Sequence, residues 1–336
     1  MPLAVLHSPA EWRARFGTPA LKAGPRSALT VGNFDGIHLG HQKILRGVVG
    51  RARATGALAA AVTFDPHPLK RLRPAEAPPL IATLAQRLAG LEQMGLDAAL
   101  VLKFDDELSC LSPEGFARGI LLEQLGMESI LVGENFRFGH RQAGDVAMLA
   151  ELGRKLGFHV EIVPPVVVRG EVVSSTAIRR AISEGRVGHA ARLLGRPFAL
   201  SGEVRPGTGQ GSRLVVPTLN LFTEQELLPK IGVYATETRV AGNLYRSATN
   251  VGVRPTFDGR RLIVESHLFD FSDKITSGTM EIRFWKRLRD ERKFSGPDAL
   301  RAQIMKDFAS ARRFFQLLSR AGCSQLDRSP RTSQSV

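Results

Sequence analysis

The sequence predicts two domains of different class: an N-terminal doubly wound parallel α/β domain and a C-terminal small antiparallel β-barrel domain with a C-terminal helix. In the first half, short apolar runs alternate with longer segments of helical periodicity, as in a parallel sheet covered by helices. From Ala199 to Phe284, the segments are short, rich in β-branched residues and separated by glycine and proline, which is typical of a small barrel. The 336 residues are enough for two such domains.

The elements of the first half follow from the period of their apolar residues. After the first strand, Ile44, Leu45 and Val48 share one face of a helix. Ser112 followed by Pro113 is typical of a helix start. The predicted strands are Ala28–Gly32, Ala57–Phe64, Ala98–Phe104, Ser129–Val132 and Val160–Val163, and the predicted helices are His41–Ala54, Leu84–Gly95 and Ser112–Leu125.

The second half is predicted to contain several short strands and one long final helix, in which Leu300, Ile304, Phe308 and Phe315 recur at helical spacing. The predicted elements are strands Leu214–Val216, Gly232–Arg239, Arg261–Phe269 and Met280–Phe284, and helix Pro297–Leu318. A turn-rich segment precedes these predicted elements of the second half. We therefore expect a first domain over 1–185, a linker over 186–198, a second domain over 199–323 and a polar, disordered tail over 324–336.

The composition favours a cytoplasmic protein, and its positive charge is also that of an ordinary basic, solvated surface. The net charge of +14 would attract nucleotides, nucleic acid or anionic membrane surfaces, but the arginines are spread along the chain and indicate no dedicated nucleic-acid-binding arm. Cys110 and Cys323 lie far apart, so neither a disulfide framework nor a cysteine-based zinc site is expected. The N-terminus lacks an apolar secretory region, and no run is long enough to cross a membrane.

The first chemical motif lies between a predicted strand and a predicted helix. Glycines in such a turn let the backbone approach a ligand closely, and the helix N-terminus favours phosphate. Two histidines three residues apart, His38 and His41, can donate hydrogen bonds to charge that develops when an α-phosphorus is attacked. A metal site built on them would lack a third ligand at suitable spacing. The motif reads Gly32-Asn33-Phe34-Asp35-Gly36-Ile37-His38-Leu39-Gly40-His41.

A second motif, Val173-Ser174-Ser175-Thr176-Ala177-Ile178-Arg179, opens another predicted helix. Ser174 or Ser175 can cap this helix, and the hydroxyls, free amides and Arg179 could bind a pyrophosphate leaving group. Taken alone, the pattern is also that of an ordinary helix cap.

Two loops follow other predicted strands, at the edge where doubly wound sheets bind ligands. They read Thr63-Phe64-Asp65-Pro66-His67-Pro68 and Gly133-Glu134-Asn135-Phe136-Arg137-Phe138-Gly139. Aromatic rings next to Asp65 and Asn135 suit a flat heterocycle that needs stacking and edge hydrogen bonds. His67 is equally well explained as a loop residue between two prolines.

The second half contains a glycine-rich segment followed by Pro217-Thr218-Leu219-Asn220. Thr218 and Asn220 are two residues apart and would place hard oxygen ligands on one face of a strand, which suits Mg²⁺ bridging the phosphates of ATP. The preceding glycines, Gly207, Gly209 and Gly211, could cradle those phosphates.

These motifs, in this order, resemble the bifunctional riboflavin kinase/FAD synthetase family of prokaryotes over about residues 28–315. H-x-G-H resembles the signature of class I nucleotidylyltransferases. The resemblance implies that His38 and His41 stabilise the reacting phosphate, and that Asp65 and Asn135 help to hold flavin. It further implies nucleotide contacts from the helix start and the glycine turn, namely Gly32, Asn33, Phe34, Asp35, Gly36, Ser174, Ser175, Thr176 and Arg179.

The second half resembles the kinase of that family. Asn250-Val251-Gly252-Val253-Arg254-Pro255-Thr256-Phe257 is similar to its N-x-G-x-R-P-T-F loop, which implies flavin contacts from Asn250 and Arg254. Val264–Phe271 resembles the strand carrying the catalytic glutamate, which would be Glu265. The implied reactions use ATP and Mg²⁺ to turn riboflavin into FMN and FMN into FAD.

One departure concerns the phosphate loop, where the family usually shows G-R-x-x-G-F before P-T-x-N. Here Val215 replaces a glycine, and a valine is strained where positive φ is needed. Two alternatives stay open: a nucleotidylyltransferase acting on another phosphate ester with a degenerate second domain, and a non-catalytic flavin- or nucleic-acid-binding protein. The sequence leaves homo-oligomer formation open.

Overall fold

The computed structural model describes residues 2–17, 26–205, 218–256, 259–271 and 275–320, without the side chains of 254–256 and 259–261. The chain divides into two compact units, Met1–Ser175 and Thr176–Val336. Among the described residues, no helix combines the length and the apolar character that a membrane crossing requires.

The first unit is built on a six-stranded parallel sheet in the order β1-β4-β3-β2-β5-β6, so its predicted class is confirmed. Its strands are β1 Ala4–Leu6, β2 Ser27–Val31, β3 Leu58–Asp65, β4 Ala98–Lys103, β5 Met127–Gly133 and β6 His159–Val163, with a small hairpin of β7 Val167–Val168 and β8 Glu171–Val172. The chain runs outward from β2 to β3, then returns to the other side of β2 as β5. This reversal is the topological switch point of the sheet.

Helices cover both faces of this sheet. One apolar core joins α2 (Leu39–Thr55) and α4 (Leu84–Gln93) to the sheet. Another joins α1 (Pro9–Phe16), α7 (Val146–Leu156) and a π-helix, Phe116–Gln124. This π-helix occupies most of the predicted α-helix Ser112–Leu125. The helices of the unit are α1 Pro9–Phe16, α2 Leu39–Thr55, α3 Pro68–Leu72, α4 Leu84–Gln93, α5 Asp106–Ser109, α6 Pro113–Gly115 and α7 Val146–Leu156.

The second unit is a closed antiparallel barrel of six strands in the order β10-β13-β12-β11-β14-β9, which confirms the predicted barrel. The strands are β9 Phe198–Arg205, β10 Leu219–Phe222, β11 Gly232–Val240, β12 Asn243–Thr256, β13 Gly259–Leu268 and β14 Thr279–Arg289. The helices are α8 Ser175–Ser183, α9 Val187–Leu194 and α10 Pro297–Arg320. The apolar face of α10 packs through Ala311 and Phe315 against Ala235 and Ala248 of the barrel.

The segment 186–198, predicted as a linker, contains α9 and the start of β9. Val187, Ala190 and Leu193 on α9 are fully buried, and α9 packs against β9 and β14. Because this apolar face needs the barrel to cover it, α9 is part of the second unit rather than a free connection. The predicted strand Leu214–Val216 and the predicted tail 324–336 lie outside the described residues.

Candidate active sites

Three loop motifs of the first unit lie at the carboxyl edge of its sheet. The H-x-G-H loop follows β2, the loop with Asp65 follows β3, and the loop with Asn135 follows β5. Since β3 and β5 flank β2, these three loops surround the switch point, where open α/β sheets bind ligands. Phe136 in the last loop stacks on buried Phe138, with ring centroids 5.4 Å apart.

His38 is the N-cap of α2. Its Nδ1 accepts a hydrogen bond from the backbone N–H of His41 at 3.3 Å. A neutral imidazole that accepts at Nδ1 carries its proton on Nε2, so the cap sets the tautomer with the N–H at Nε2. Gly40 makes room for the ring, because a Cβ there would lie 3.1 Å from both Cε1 and Nδ1 of His38.

His41 stacks on His38, with ring centroids 3.6 Å apart and planes inclined by 16°. Burial, followed by repulsion from His38, holds the pKa of His41 well below its usual value of 6.5. The ring is therefore neutral near pH 7, and a neutral ring can lie against another imidazole without charge repulsion. Its Nδ1 is buried and has no hydrogen-bond partner among the described residues.

The loop before the histidines is held from inside the unit. The Asp35 carboxylate is buried and accepts hydrogen bonds from the backbone N–H groups of Ile81 at 3.1 Å and Ala82 at 3.0 Å. Phe34, at φ 47°, is buried and meets His41 edge to face at 5.4 Å. These two side chains shape the loop, so the surface it presents to a ligand comes from its backbone and its other residues.

The loop after β3 is tied to the histidine loop. His67 caps α3 by accepting from the N–H of Leu69 at 3.2 Å, and its Nε2 lies 3.0 Å from the Asn33 amide. Asp65 has a half-exposed side chain that forms an ion pair with Arg87 on α4 at 3.6 Å. Sequence reasoning missed Arg87. Its signal was a charged residue inside the apolar stripe formed by Leu84, Leu88 and Leu91.

The serine motif reaches the same loop. Ser175 donates from its hydroxyl to the backbone carbonyl of Asp35 at 3.2 Å, and the carbonyl of Val173 lies near Gly40. Ser174 and Ser175 are half-buried, and α8 begins at Ser175, as the motif predicted. Thr176 and Arg179 lie on α8, within the second compact unit.

The barrel brings the kinase candidates together by strand register. Asn220 on β10 lies directly opposite Glu265 on β13, and Glu265 lies directly opposite Asn250 on β12. Residues opposite each other in neighbouring strands share a face of the sheet with Cβ atoms about 5 Å apart. All three are half-buried, whereas their chain neighbours Leu219, Val264 and Val251 are buried inside the barrel. The three polar side chains therefore form one row on the outer face.

Other residues border this row. Thr218 is exposed two positions before Asn220 and shares its face. At Gly252, a Cβ would lie 2.9 Å from Glu291 Oε1 and 3.0 Å from Asn250 Nδ2, which places a second carboxylate beside the row. Glu291 was not predicted as a site residue. Gly207, Gly209, Gly211 and Val215, as well as the side chain of Arg254, lie outside the described residues.

The first unit thus has the fold of a nucleotidyltransferase domain, and the second that of a small barrel kinase domain. Residues 21–177 match the FAD synthetase family model, and residues 194–315 match the riboflavin kinase family model. The chain belongs to the bifunctional riboflavin kinase/FMN adenylyltransferase family.

Curated relatives of this name are similar over most of their length. The protein of Escherichia coli K12 is 34% identical to this chain, and the match covers 86% of this chain and 93% of that protein. The protein of Pseudomonas fluorescens is 37% identical, and the match covers 84% of this chain and 91% of that protein. A crystal structure titled "Macrolide-efflux Protein" from Streptococcus pneumoniae has a TM-score of 0.81 at 28% identity, covering 93% of this chain and 99% of that one.

Proposed function

We propose that the site around His38 and His41 adenylylates FMN, and that the outer barrel face around Glu265 phosphorylates riboflavin. The chain would then convert riboflavin to FMN and FMN to FAD, with ATP as co-substrate in both steps. The observation that carries the proposal is that the two sets of polar residues lie in two separate compact units of one chain. The family to which the chain belongs is named for these two activities.

In the adenylylation step, a phosphate oxygen of FMN attacks the α-phosphorus of ATP and pyrophosphate leaves. The nucleophile is already an anion, so the site does not need a general base. It must stabilise the charge that spreads over the α-phosphate oxygens. His38 would donate from Nε2–H, and His41 would donate from a ring kept neutral by burial. The N–H groups at the start of α2 add the positive end of a helix dipole.

Substrate contacts in this unit would be divided between the loops. Asp65 and Asn135 would hold the flavin, while the backbone of 32–36, Ser174 and Ser175 would bind phosphates of the nucleotide. We assign Asp35 and Phe34 to shaping the loop, because both side chains are buried.

In the phosphorylation step, the 5′-hydroxyl of the ribityl chain attacks the γ-phosphorus of ATP and ADP leaves. Glu265 would orient this hydroxyl and accept its proton, and Asn250 and Arg254 would hold the flavin. Phosphoryl transfer depends chiefly on positioning and charge neutralisation. The row of Asn220, Glu265 and Asn250 would provide the positioning, because the strand register fixes where these three residues lie.

Thr218 and Asn220 would hold Mg²⁺. Their hydroxyl and amide oxygens are the hard ligands this ion prefers, and two protein ligands leave positions for water and phosphates. The ion supplies charge neutralisation at the phosphates of ATP when it is bound. Gly207, Gly209 and Gly211 would cradle the same phosphates.

A product assay with two variants tests the whole proposal. The purified protein is given riboflavin, ATP and Mg²⁺, and flavins are separated by chromatography over time. FMN should appear first and then become FAD. His41→Ala should accumulate FMN without FAD, and Glu265→Gln should make no FMN from riboflavin but should make FAD from supplied FMN. Loss of both activities in either folded variant would refute the assignment of one reaction to each unit.

A further inference from the structure

A buried arginine lies beneath the adenylylation site. The side chain of Arg87 on α4 is only 2% exposed. Its NH1 group donates to the backbone carbonyl of Asn33 at 3.0 Å, to the Thr63 hydroxyl at 3.2 Å and to the carbonyl of Phe64 at 3.3 Å. One guanidinium nitrogen therefore ties the loop after β2 to the end of β3.

The rest of the guanidinium faces a different group. Arg87 NH2 lies 3.6 Å from Asp65 Oδ1, whose side chain is half-exposed at the substrate edge. Among the described residues, neither NH2 nor Nε of Arg87 has a hydrogen-bond partner. Burial lowers the pKa of Arg87, and attraction to Asp65 and Asp35 opposes this change. A buried cation is costly without an opposite charge, and Asp65 supplies the ion-pair partner of Arg87.

These contacts join the two loops that the proposed reaction must align. Asn33 belongs to the loop that leads to His38 and also meets His67, while Asp65 belongs to the proposed flavin side. A guanidinium is a rigid planar group with several donors, so it can hold several acceptors at fixed relative positions. A lysine ammonium could keep the charge but not this geometry.

We propose that Arg87 is a positioning residue for FMN adenylylation, setting Asp65 and the backbone of Asn33 relative to each other so that flavin and nucleotide meet in the reactive geometry. The inference rests on the proposed roles of Asp65 and the histidine loop. Arg87 acts through these groups and contacts no substrate itself. An arginine serving only to satisfy buried carbonyls would affect stability, but it would not couple to Asp65.

The test is a double-mutant cycle of Arg87→Lys and Asp65→Asn in the full chain, with kcat and KM measured for FMN and for ATP. Arg87→Lys should raise the KM for FMN and lower the kcat of adenylylation, on the order of 10- to 100-fold in kcat/KM. The double variant should be no more than about threefold worse than Arg87→Lys alone, because residues in one network are not additive. Riboflavin phosphorylation by the same molecules is the internal control and should be unchanged.

Arg51→Lys is the matched control, because Arg51 on α2 also has a buried Nε without a partner and lies away from the site residues. It should leave FAD formation at the wild-type rate. Wild-type kinetics for Arg87→Lys, or effects of Arg87→Lys and Asp65→Asn that multiply, would overturn the inference. Wild-type kinetics for Asp65→Asn would overturn the coupling together with the flavin role of Asp65. FAD formation by His41→Ala would instead refute the proposed site, whereas the double-mutant cycle would still show whether Arg87 and Asp65 are coupled.

Discussion

At the scale of single residues, the histidine motif owes its geometry to a few close contacts. His38 caps the helix that carries His41, so the two rings come from one turn of chain and stack at 3.6 Å. The cap sets the tautomer of His38, and burial keeps His41 neutral. Gly40 favours this arrangement, because a Cβ at that position would lie 3.1 Å from two atoms of the His38 ring.

Gly40→Ala should therefore impair FAD formation. A Cβ at this position would lie 3.1 Å from two atoms of the His38 ring and would displace it from the cap. We expect a loss on the order of 10- to 100-fold in kcat/KM for adenylylation. Gly50→Ala on the same helix is the matched control, because nothing lies within 4 Å of a Cβ placed at Gly50. Equal rates of FAD formation for the two variants would mean that the His38 ring does not depend on the absence of a Cβ at Gly40.

The lowered pKa of His41 predicts a pH dependence of stability. Below about pH 6.5, the unfolded chain binds a proton at His41 that the folded chain does not, so the free energy of unfolding should fall as pH falls. The contribution is at most about 1.4 kcal/mol per pH unit. His41→Asn should have a shallower decline between pH 7.5 and 5.5 in urea unfolding of the first unit. Parallel curves for the two proteins would contradict the lowered pKa.

At the scale of elements, the barrel interior contains a closed ring of five buried hydroxyl groups. Thr249 donates to Ser266 at 3.0 Å, and the ring continues through Thr238, Ser247 and Thr236 back to Thr249 with distances of 2.6–2.9 Å. None of the five is exposed. Each hydroxyl can donate once and accept once, so these five hydroxyl groups satisfy one another without water.

Opening the ring should destabilise the barrel. Thr236→Val keeps the shape of the side chain but leaves one buried hydroxyl without an acceptor, which costs about 1–3 kcal/mol. Thr236→Ser keeps the hydroxyl and is the matched control. Urea unfolding can be followed by the fluorescence of Trp285 in a Trp12→Phe background, since the chain has two tryptophans. A valine variant as stable as the serine variant would mean that the ring contributes little.

Replacing all five ring residues with apolar ones of similar shape, valine for threonine and alanine for serine, should recover most of the lost stability. Removing every partner leaves no unsatisfied polar group, which is far less costly than removing one. The same unfolding assay measures this. If the variant with all five replacements is less stable than Thr236→Val, unsatisfied hydroxyl groups are not the cause of the lost stability.

At the scale of the whole molecule, the two units have separate apolar cores, and each carries one proposed site. The proposed catalytic histidines belong to the first unit, and the row of Asn220, Glu265 and Asn250 belongs to the second. The product of the proposed kinase is the substrate of the proposed adenylyltransferase, so the reaction order follows from chemistry alone.

Two single-site variants mixed in one tube should therefore complement each other. His41→Ala would make FMN, and Glu265→Gln would convert this FMN to FAD after a lag that shortens with protein concentration. Chromatography of the flavins over time measures both steps. FAD from supplied FMN but none from the mixture given riboflavin would show that FMN made by one molecule does not reach another.

Much of the fold was predictable because local signals agree with the final structure. Strand–helix alternation predicted the parallel sheet, and short β-branched segments predicted the barrel. Helix α7 was missed although Asp145 caps its start and Gly157 ends it, and β1, which has only three residues, carries too little pattern to detect. The π-helix was predicted as an α-helix, because both bury one apolar stripe.

The sequence by itself determined the motifs and their chemistry, since H-x-G-H and P-T-x-N each lie within one local turn or strand. Only the tertiary structure decided which distant residues join them. Arg87 reaches Asn33 and Asp65 because α4 shares an apolar core with β2 and β3, and Asn220 meets Glu265 and Asn250 because barrel closure sets the strand register. Such contacts depend on packing between segments far apart in the chain, and no local pattern of residues specifies them.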